Sequence, residues 1–126
     1  MDDRKIIGIT MGDPASIGPE ITVKALADKA VYDECRPIVV GDACVLKAAL
    51  KIVGHEELTV RAVKDVKDAV FTHGTIDVLD MELVSMDGLV RGQVSAMCGD
   101  AAFRYVEKVI ELAMDGQVDA TVTNAF

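Results

Sequence analysis

Apolar residues recur along the chain in two rhythms, one of strand type and one of helix type, and the switches between them lay out its elements. Ile6 to Met11 is an apolar, β-branched run of strand type that stops at the turn formers Gly12, Asp13 and Pro14. Gly18, Pro19 and Glu20 then start a helix: proline suits the first helical position, where no N–H is needed, and the glutamate faces the positive end of the helix dipole. Val23, Leu26, Ala27 and Ala30 follow at i, i+3, i+4 and i+7 and place one apolar stripe on that helix. Arg36 to Val40 is a short strand ending at Gly41 and Asp42. Asp42 is placed to cap a helix whose stripe is Leu46, Ala49, Leu50 and Val53 and whose stop is Gly54.

The pattern is looser in the middle of the chain. Glu57 to Arg61 and Thr75 to Asp80 read as strands, with room for a short helix from Ala62 to Phe71. Leu83 to Val94 holds Gly88 and Gly92 and sustains no period, so an irregular connection is expected, suited to a β-excursion or a subunit contact. Ala96 to Met114 is strongly helical, with Ala102, Val106, Val109 and Ala113 on one side, Ser95 as its cap and Gly116 as its stop. Val118 to Thr123 is expected to be a last, buried strand. Strand and helix alternate at both ends of the chain, the sign of an α/β fold with a mainly parallel sheet flanked by helices and joined by right-handed crossovers.

Composition narrows the function more than the fold. The chain has 126 residues, 51% of them hydrophobic, with five aromatics and no Trp, so its core is aliphatic, as in helix-covered parallel sheets. A net charge of −8 disfavours a nucleic-acid or anionic-membrane surface, which needs clustered Lys and Arg, but leaves room for a small anion held by local N–H groups. Cys35, Cys44 and Cys98 have neither disulfide-framework nor zinc-type spacing. No apolar run approaches the length of a membrane span and no signal-type segment follows the charged N-terminus, so a soluble, cytoplasmic protein is expected. His55 and His73 both sit at turns, without the convergent partners a metal needs. There is no GxSxG elbow, no phosphate-binding GxxxxGK[ST] loop and no GxGxxG fingerprint.

The strand, loop and helix from Ile6 to Glu20 is the best candidate site, because ligands of open α/β sheets bind at strand carboxyl ends, where helix N-termini also point. Its segment Ile9 to Ile21, ITMGDPASIGPEI, resembles the N-terminal signature of the 4-phosphohydroxy-L-threonine dehydrogenase family and its phosphorylated sugar-acid dehydrogenase relatives. More loosely it is similar to the Gly-Asp-Gly-Ile-Gly-Pro-Glu loop of isocitrate and isopropylmalate dehydrogenases. Ser16 stands where the family usually has glycine, which a serine can replace only if the backbone does not need a positive φ. Val94-Ser95-Ala96, and Gly99, Ala101, Ala102 and Leu112 to Thr123, resemble later family motifs, so the likeness runs from Ile9 to the end of the chain.

The resemblance implies an isocitrate-dehydrogenase-like fold and NAD-dependent oxidation of a secondary alcohol, with metal-assisted loss of carbon dioxide from the resulting β-keto acid. It also implies a divalent metal (Zn, Mg or Co), a homodimer at full length, and a substrate such as 4-phosphohydroxy-L-threonine. The ending Thr123-Asn124-Ala125-Phe126 points instead to threonate or erythronate 4-phosphate. The family's substrate motif of His, Thr and Glu and its three metal-binding histidines have no counterpart here, so residues 1–126 are expected to be an N-terminal fragment, inactive alone. No residue is assigned a catalytic or metal-ligand role. The site candidates are Gly12, Asp13 and Gly18 of the first loop and Thr123 and Asn124 of the last strand. Asp13 either accepts N–H bonds within its turn or orients a hydroxyl or the nicotinamide end of a cofactor. Thr123 and Asn124 either meet phosphate and hydroxyl groups or cap a following helix. The alternatives to an enzyme are a noncatalytic α/β binding module and a structural remnant.

Overall fold

The structure is a computed structural model that describes residues 3–90, 92–93 and 95–124. Val94 of the Val-Ser-Ala motif, and Ala125 and Phe126, lie outside the described residues. The elements are β1 (Lys5–Thr10), α1 (Gly18–Leu26), α2 (Lys29–Glu34), β2 (Cys35–Gly41), α3 (Ala43–Val53), β3 (Thr59–Val63), β4 (Thr75–Asp80), α4 (Ala96–Met114) and β5 (Ala120–Val122). Among the described residues the strands form one five-stranded sheet in the order β3-β4-β2-β1-β5, and every pairing is parallel. The α/β reading of the sequence is borne out.

The order of visits fixes the layers. From β1 the chain steps through α1 and α2 to β2 on one side. From β4 it crosses back through α4 and sets β5 on the other side of β1. Right-handed crossovers in opposite directions place their helices on opposite faces. Neighbouring side chains of β1 report those two faces: a Cβ on Gly8 would lie 2.7 Å from Val109 of α4, whereas the next residue, Ile9, lines a trough with Ile21 and Leu26 of α1. α3 packs beside α1. The central strand β2 is covered on both faces, and its Ile38, Val39 and Val40 are fully buried.

Several boundaries and faces differ from the sequence reading. The first helix stops at Leu26, and Asp28 starts the separate α2 by accepting the Ala30 N–H at 2.9 Å, so Ala30 is exposed and does not extend the stripe. β3 begins two residues later than the apolar pattern and runs to Val63. Between Ala62 and Phe71 only a 3-10 turn forms, Val66–Asp68. The segment after β4 contains a 3-10 turn at Met86–Gly88, and no strand forms among its described residues. Ser95 caps α4 as expected, its Oγ accepting the Cys98 N–H at 3.1 Å.

Two faces are corrected. β5 is not a buried strand: Ala120, Thr121 and Val122 are all exposed, because β5 is bonded to β1 on one side and forms an edge of the sheet among the described residues. The buried face of α4 runs through Ala101, Tyr105, Val109 and Leu112, while Ala113 is exposed and Val106 half-buried. The expected stripe fell between this face and a second apolar flank, Phe103, Ile110 and Met114, which is exposed.

Candidate functional site

Strand order marks the candidate site. The connections from β1 and to β5 lead away in opposite directions, so the carboxyl ends of these neighbouring strands flank a switch point of the sheet, the usual position of a ligand crevice in this architecture. Gly12, Asp13 and Gly18 follow β1, and Thr123 and Asn124 follow β5, so the topology brings all five to this crevice.

The first loop is built by its own backbone chemistry. Gly12 has φ 83°, a left-handed conformation that glycine adopts without steric cost. Asp13 then makes the turn it was expected to make: its Oδ1 accepts the Ala15 N–H at 2.8 Å and its carbonyl accepts the Ser16 N–H at 3.0 Å. Ser16 does not occupy a positive φ, so the serine fits where the family favours glycine. Gly18 opens α1, with Pro19 beside it in the first turn, and the N-terminal end of the helix faces the loop. The Gly92 N–H donates to the Ala15 carbonyl at 2.7 Å, and Gly92 and Gln93 close a cleft of about 150 Å³ over Asp13, Ala15 and Ser16.

Asn124 binds the end of β5 to this loop. Its backbone N–H donates to Thr10 Oγ1 at 3.0 Å, and its side-chain amide donates to the Thr10 carbonyl at 3.1 Å and to Thr22 Oγ1 at 2.6 Å. The Thr22 hydroxyl in turn donates to the Gly18 carbonyl at 2.9 Å. A continuous chain of bonds therefore joins Asn124, Thr22 and Gly18, with Thr10 and Thr22 fully buried. Both protons of the Asn124 amide are engaged within the chain, whereas the Thr123 side chain is exposed at the crevice mouth. Thr22 was missed in the sequence because it is a polar residue on the buried face of α1, beside Val23 and Leu26, where only the fold reveals its partners.

A second polar cluster lies at the same edge, beyond β2 and β4. Asp42 occupies the capping position of α3, but its side chain does not cap that helix. It is fully buried, with Oδ1 accepting the Tyr105 hydroxyl at 2.6 Å and Oδ2 accepting the Val84 N–H at 2.7 Å. The cap comes from the adjacent strand, where Asp80 Oδ1 accepts the Ala43 and Glu82 N–H groups at 3.2 Å each. The exchange is possible because Gly41 and Asp80 are register partners. Burial and the Asp42 carboxylate push the Tyr105 hydroxyl far above the ordinary tyrosine range. Asp80, Glu82, Lys64 and Lys108 line a separate cleft of about 360 Å³ at the ends of β3 and β4, away from the Asp13 loop.

The remaining candidates for chemistry are quiet. Burial, the first cause for each, pushes the Cys35 and Cys44 thiols up, the opposite of an activated nucleophile. His55 Nδ1 lies 3.0 Å from Glu57 Oε2, and His73 Nε2 lies 2.9 Å from the Ala27 carbonyl with its ring edge-on to Tyr32. Among the described residues no group of three or more His, Cys, Asp and Glu comes together to hold a metal, and no helix is long and apolar enough to cross a membrane. The described side chains therefore do not fit a metal ion.

Comparison with known proteins places this geometry. The profile of the family described as "Pyridoxal phosphate biosynthetic protein PdxA" matches residues 33–126. The D-threonate 4-phosphate dehydrogenase of Cupriavidus necator is 47% identical over 118 residues, 94% of this chain and 35% of that protein. A crystal structure of a 4-hydroxythreonine-4-phosphate dehydrogenase from Burkholderia phymatum superposes with a TM-score of 0.92 at 46% identity, covering 97% of this chain and 36% of that one. A terephthalate 1,2-cis-dihydrodiol dehydrogenase from Burkholderia xenovorans superposes at 0.69 with 32% identity, covering 94% of this chain and 33% of that one. The chain thus spans about a third of the length of the relatives it matches. With a match over most of its length and a closely superposable fold, the chain belongs to the PdxA family of pyridoxal phosphate biosynthetic proteins.

Proposed function

We propose that this chain forms one side of the active site of an NAD-dependent dehydrogenase acting on a 4-phosphorylated hydroxy acid, with D-threonate or D-erythronate 4-phosphate as the preferred class of substrate. The observation that carries this is the junction of the Gly12 to Gly18 loop with the end of β5 through Asn124, Thr10 and Thr22. That junction lies at a sheet switch point, in a family whose relatives are named 4-phosphate dehydrogenases. When bound, the nicotinamide supplies the hydride acceptor. The chain's own part is positional: the turn at Gly12 brings backbone close to the ligand, the α1 N-terminus favours a negative group, and Asp13 offers an acceptor to a hydroxyl.

The network of Asn124 and Thr22 acts one layer behind, holding the loop at a fixed distance from β5 so that the ligand meets a preformed surface. The described residues offer no metal-ligand set, and no step is assigned to a metal on this chain. By itself the chain is expected to bind weakly without turnover, which is also how a noncatalytic module would behave. Titrating the isotope-labelled chain with D-threonate 4-phosphate, alone and with NAD, tests the location. Amide shifts are expected at Gly12 to Gly18 and at Thr123 and Asn124. Shifts confined to the Lys64 and Lys108 cleft would overturn the assignment.

A further inference from the structure

The buried pair of Asp42 and Tyr105 sits where the two helix layers meet at the carboxyl edge of the sheet. Tyr105 belongs to α4 on one face, Asp42 precedes α3 on the other, and the hydroxyl reaches the carboxylate at 2.6 Å. Both side chains are fully buried. Burying a carboxylate is costly unless its oxygens are bonded, and apolar side chains would join the two layers without that cost. What the carboxylate adds is a fixed acceptor for backbone, because its Oδ2 takes the Val84 N–H at 2.7 Å. The Asp42 carbonyl still receives the Val45 and Leu46 N–H groups at 3.2 and 3.3 Å, and Asp80 bonds the Ala43 N–H, so α3 starts without the Asp42 side chain. That side chain serves the connection that follows β4.

The connection leads from Met81 to the first loop. Its start is pinned twice, by the Met81 N–H to the Gly41 carbonyl at 2.8 Å and by Val84 to Asp42. Met86 and Leu89 then line a trough of about 180 Å³ with Pro14 and Ser16 of the loop and Val45 and Ile52 of α3. Beyond Leu89, the Gly92 N–H bonds the Ala15 carbonyl at 2.7 Å, and there the connection forms one wall of the cleft over Asp13. We propose that Asp42 and Tyr105 are positioning residues of the ligand site. They hold the connection from Met81 to Leu89 against the Pro14 to Ser16 loop, so that the cleft over Asp13 is formed before the ligand arrives. Both are buried, so their effect on the ligand passes through the connection, and this role rests on the ligand site proposed above.

The test uses the isotope-labelled 126-residue chain and four substitutions. Asp42→Ala removes the acceptor for Val84. Asp42→Asn keeps an oxygen for the Val84 N–H and offers an amide donor to the Tyr105 oxygen. Tyr105→Phe keeps the ring and removes the hydroxyl. Leu112→Ala, on the buried face of α4 further along the helix, controls for a general loss of stability. Without ligand, Asp42→Ala is expected to speed hydrogen exchange at Val84 and Gly92 by at least about tenfold. Leu112→Ala, at a comparable fall in melting midpoint, is expected to change these two amides by less than about threefold, since local opening is separate from global unfolding. The Kd for D-threonate 4-phosphate is expected to rise by at least about tenfold in Asp42→Ala, the effect of a connection that is in place about a tenth of the time. Asp42→Asn is expected to stay within about threefold of the parent in both readouts. If Asp42→Ala does not fold, Tyr105→Phe decides by the same readouts, with increases of at least about threefold. Unchanged exchange at Gly92 in Asp42→Ala, or loosened amides with unchanged affinity, would overturn the proposal. So would an equal loss of affinity in Leu112→Ala or in Asp42→Asn. A parent chain that does not bind D-threonate 4-phosphate would count against the substrate assignment alone, because the exchange readout uses no ligand and decides by itself whether Asp42 holds the wall over Asp13.

Discussion

Asp13 is bound into its own turn and, in the proposed function, also serves a ligand. Its Oδ1 is occupied by the Ala15 N–H, a bond that an asparagine oxygen can also accept, so Asp13→Asn removes the charge and leaves the turn intact. Stability is expected to stay within about 0.5 kcal/mol of the parent, while kcat/KM of a chimera that continues the chain with the unmatched part of the Cupriavidus necator relative should fall by more than about tenfold if the carboxylate acts on the transition state. Melting and steady-state kinetics on the same preparations check this, and a large stability loss with unchanged kinetics would return Asp13 to a purely structural role. Tyr105 is the opposite case, a buried group whose role is to satisfy Asp42. Tyr105→Phe leaves the Asp42 carboxylate with the Val84 N–H as its remaining described donor, an expected cost of about 1.5–3 kcal/mol near neutral pH. The pH dependence has a definite sign. The unfolded tyrosine loses its proton near about pH 10 while the folded one, its pKa raised, keeps it, so this stabilisation is complete below about pH 10 and is lost above it. Denaturant melts should show the gap between parent and Tyr105→Phe narrowing above that pH, and a constant gap would contradict the buried, neutral phenol.

At the scale of elements, close approach matters more than propensity. A Cβ added at Gly41 would lie 2.6 Å from Met11 Cβ, an atom fixed to the backbone that cannot swing aside. Gly41→Ala is therefore expected to cost about 1–3 kcal/mol, and Gly99→Ala, in open space within α4, to gain about 0.5–1 kcal/mol. Paired denaturant melts check both signs. The sequence made β1, α3, β4 and α4 legible because each is a long period with a clear stop. It misplaced the face of α4 because two apolar surfaces on one helix merge into a single broad arc, and a periodicity argument finds the middle of the arc. It misread the Asp42 side chain for a related reason: capping rules are local, whereas Asp42 and Asp80 exchange duties across a strand pairing that only the fold creates. The candidate loop was readable from its turn formers. The bonds from Asn124 to Thr10 and Thr22 were not, since they join residues more than a hundred positions apart.

Across the whole molecule, the sheet order gathers the first loop and the last strand at one crevice and, among the described residues, leaves β5 at an edge of the sheet. His55 and His73 are held at surface turns by Glu57 and by the Ala27 carbonyl, so neither faces the crevice partners. The central claim is that this crevice belongs to a 4-phosphate hydroxy-acid dehydrogenase. It is tested most directly by following NADH formation from D-threonate 4-phosphate with NAD and a divalent metal, for the 126-residue chain and for the chimera that continues it with the unmatched part of the Cupriavidus necator relative. The account predicts no NADH from the chain alone and sustained NADH formation from the chimera, lost when D-threonate without its phosphate is supplied. NADH formation by the chain alone, or a folded chimera that binds the phosphorylated acid without oxidising it, would contradict it.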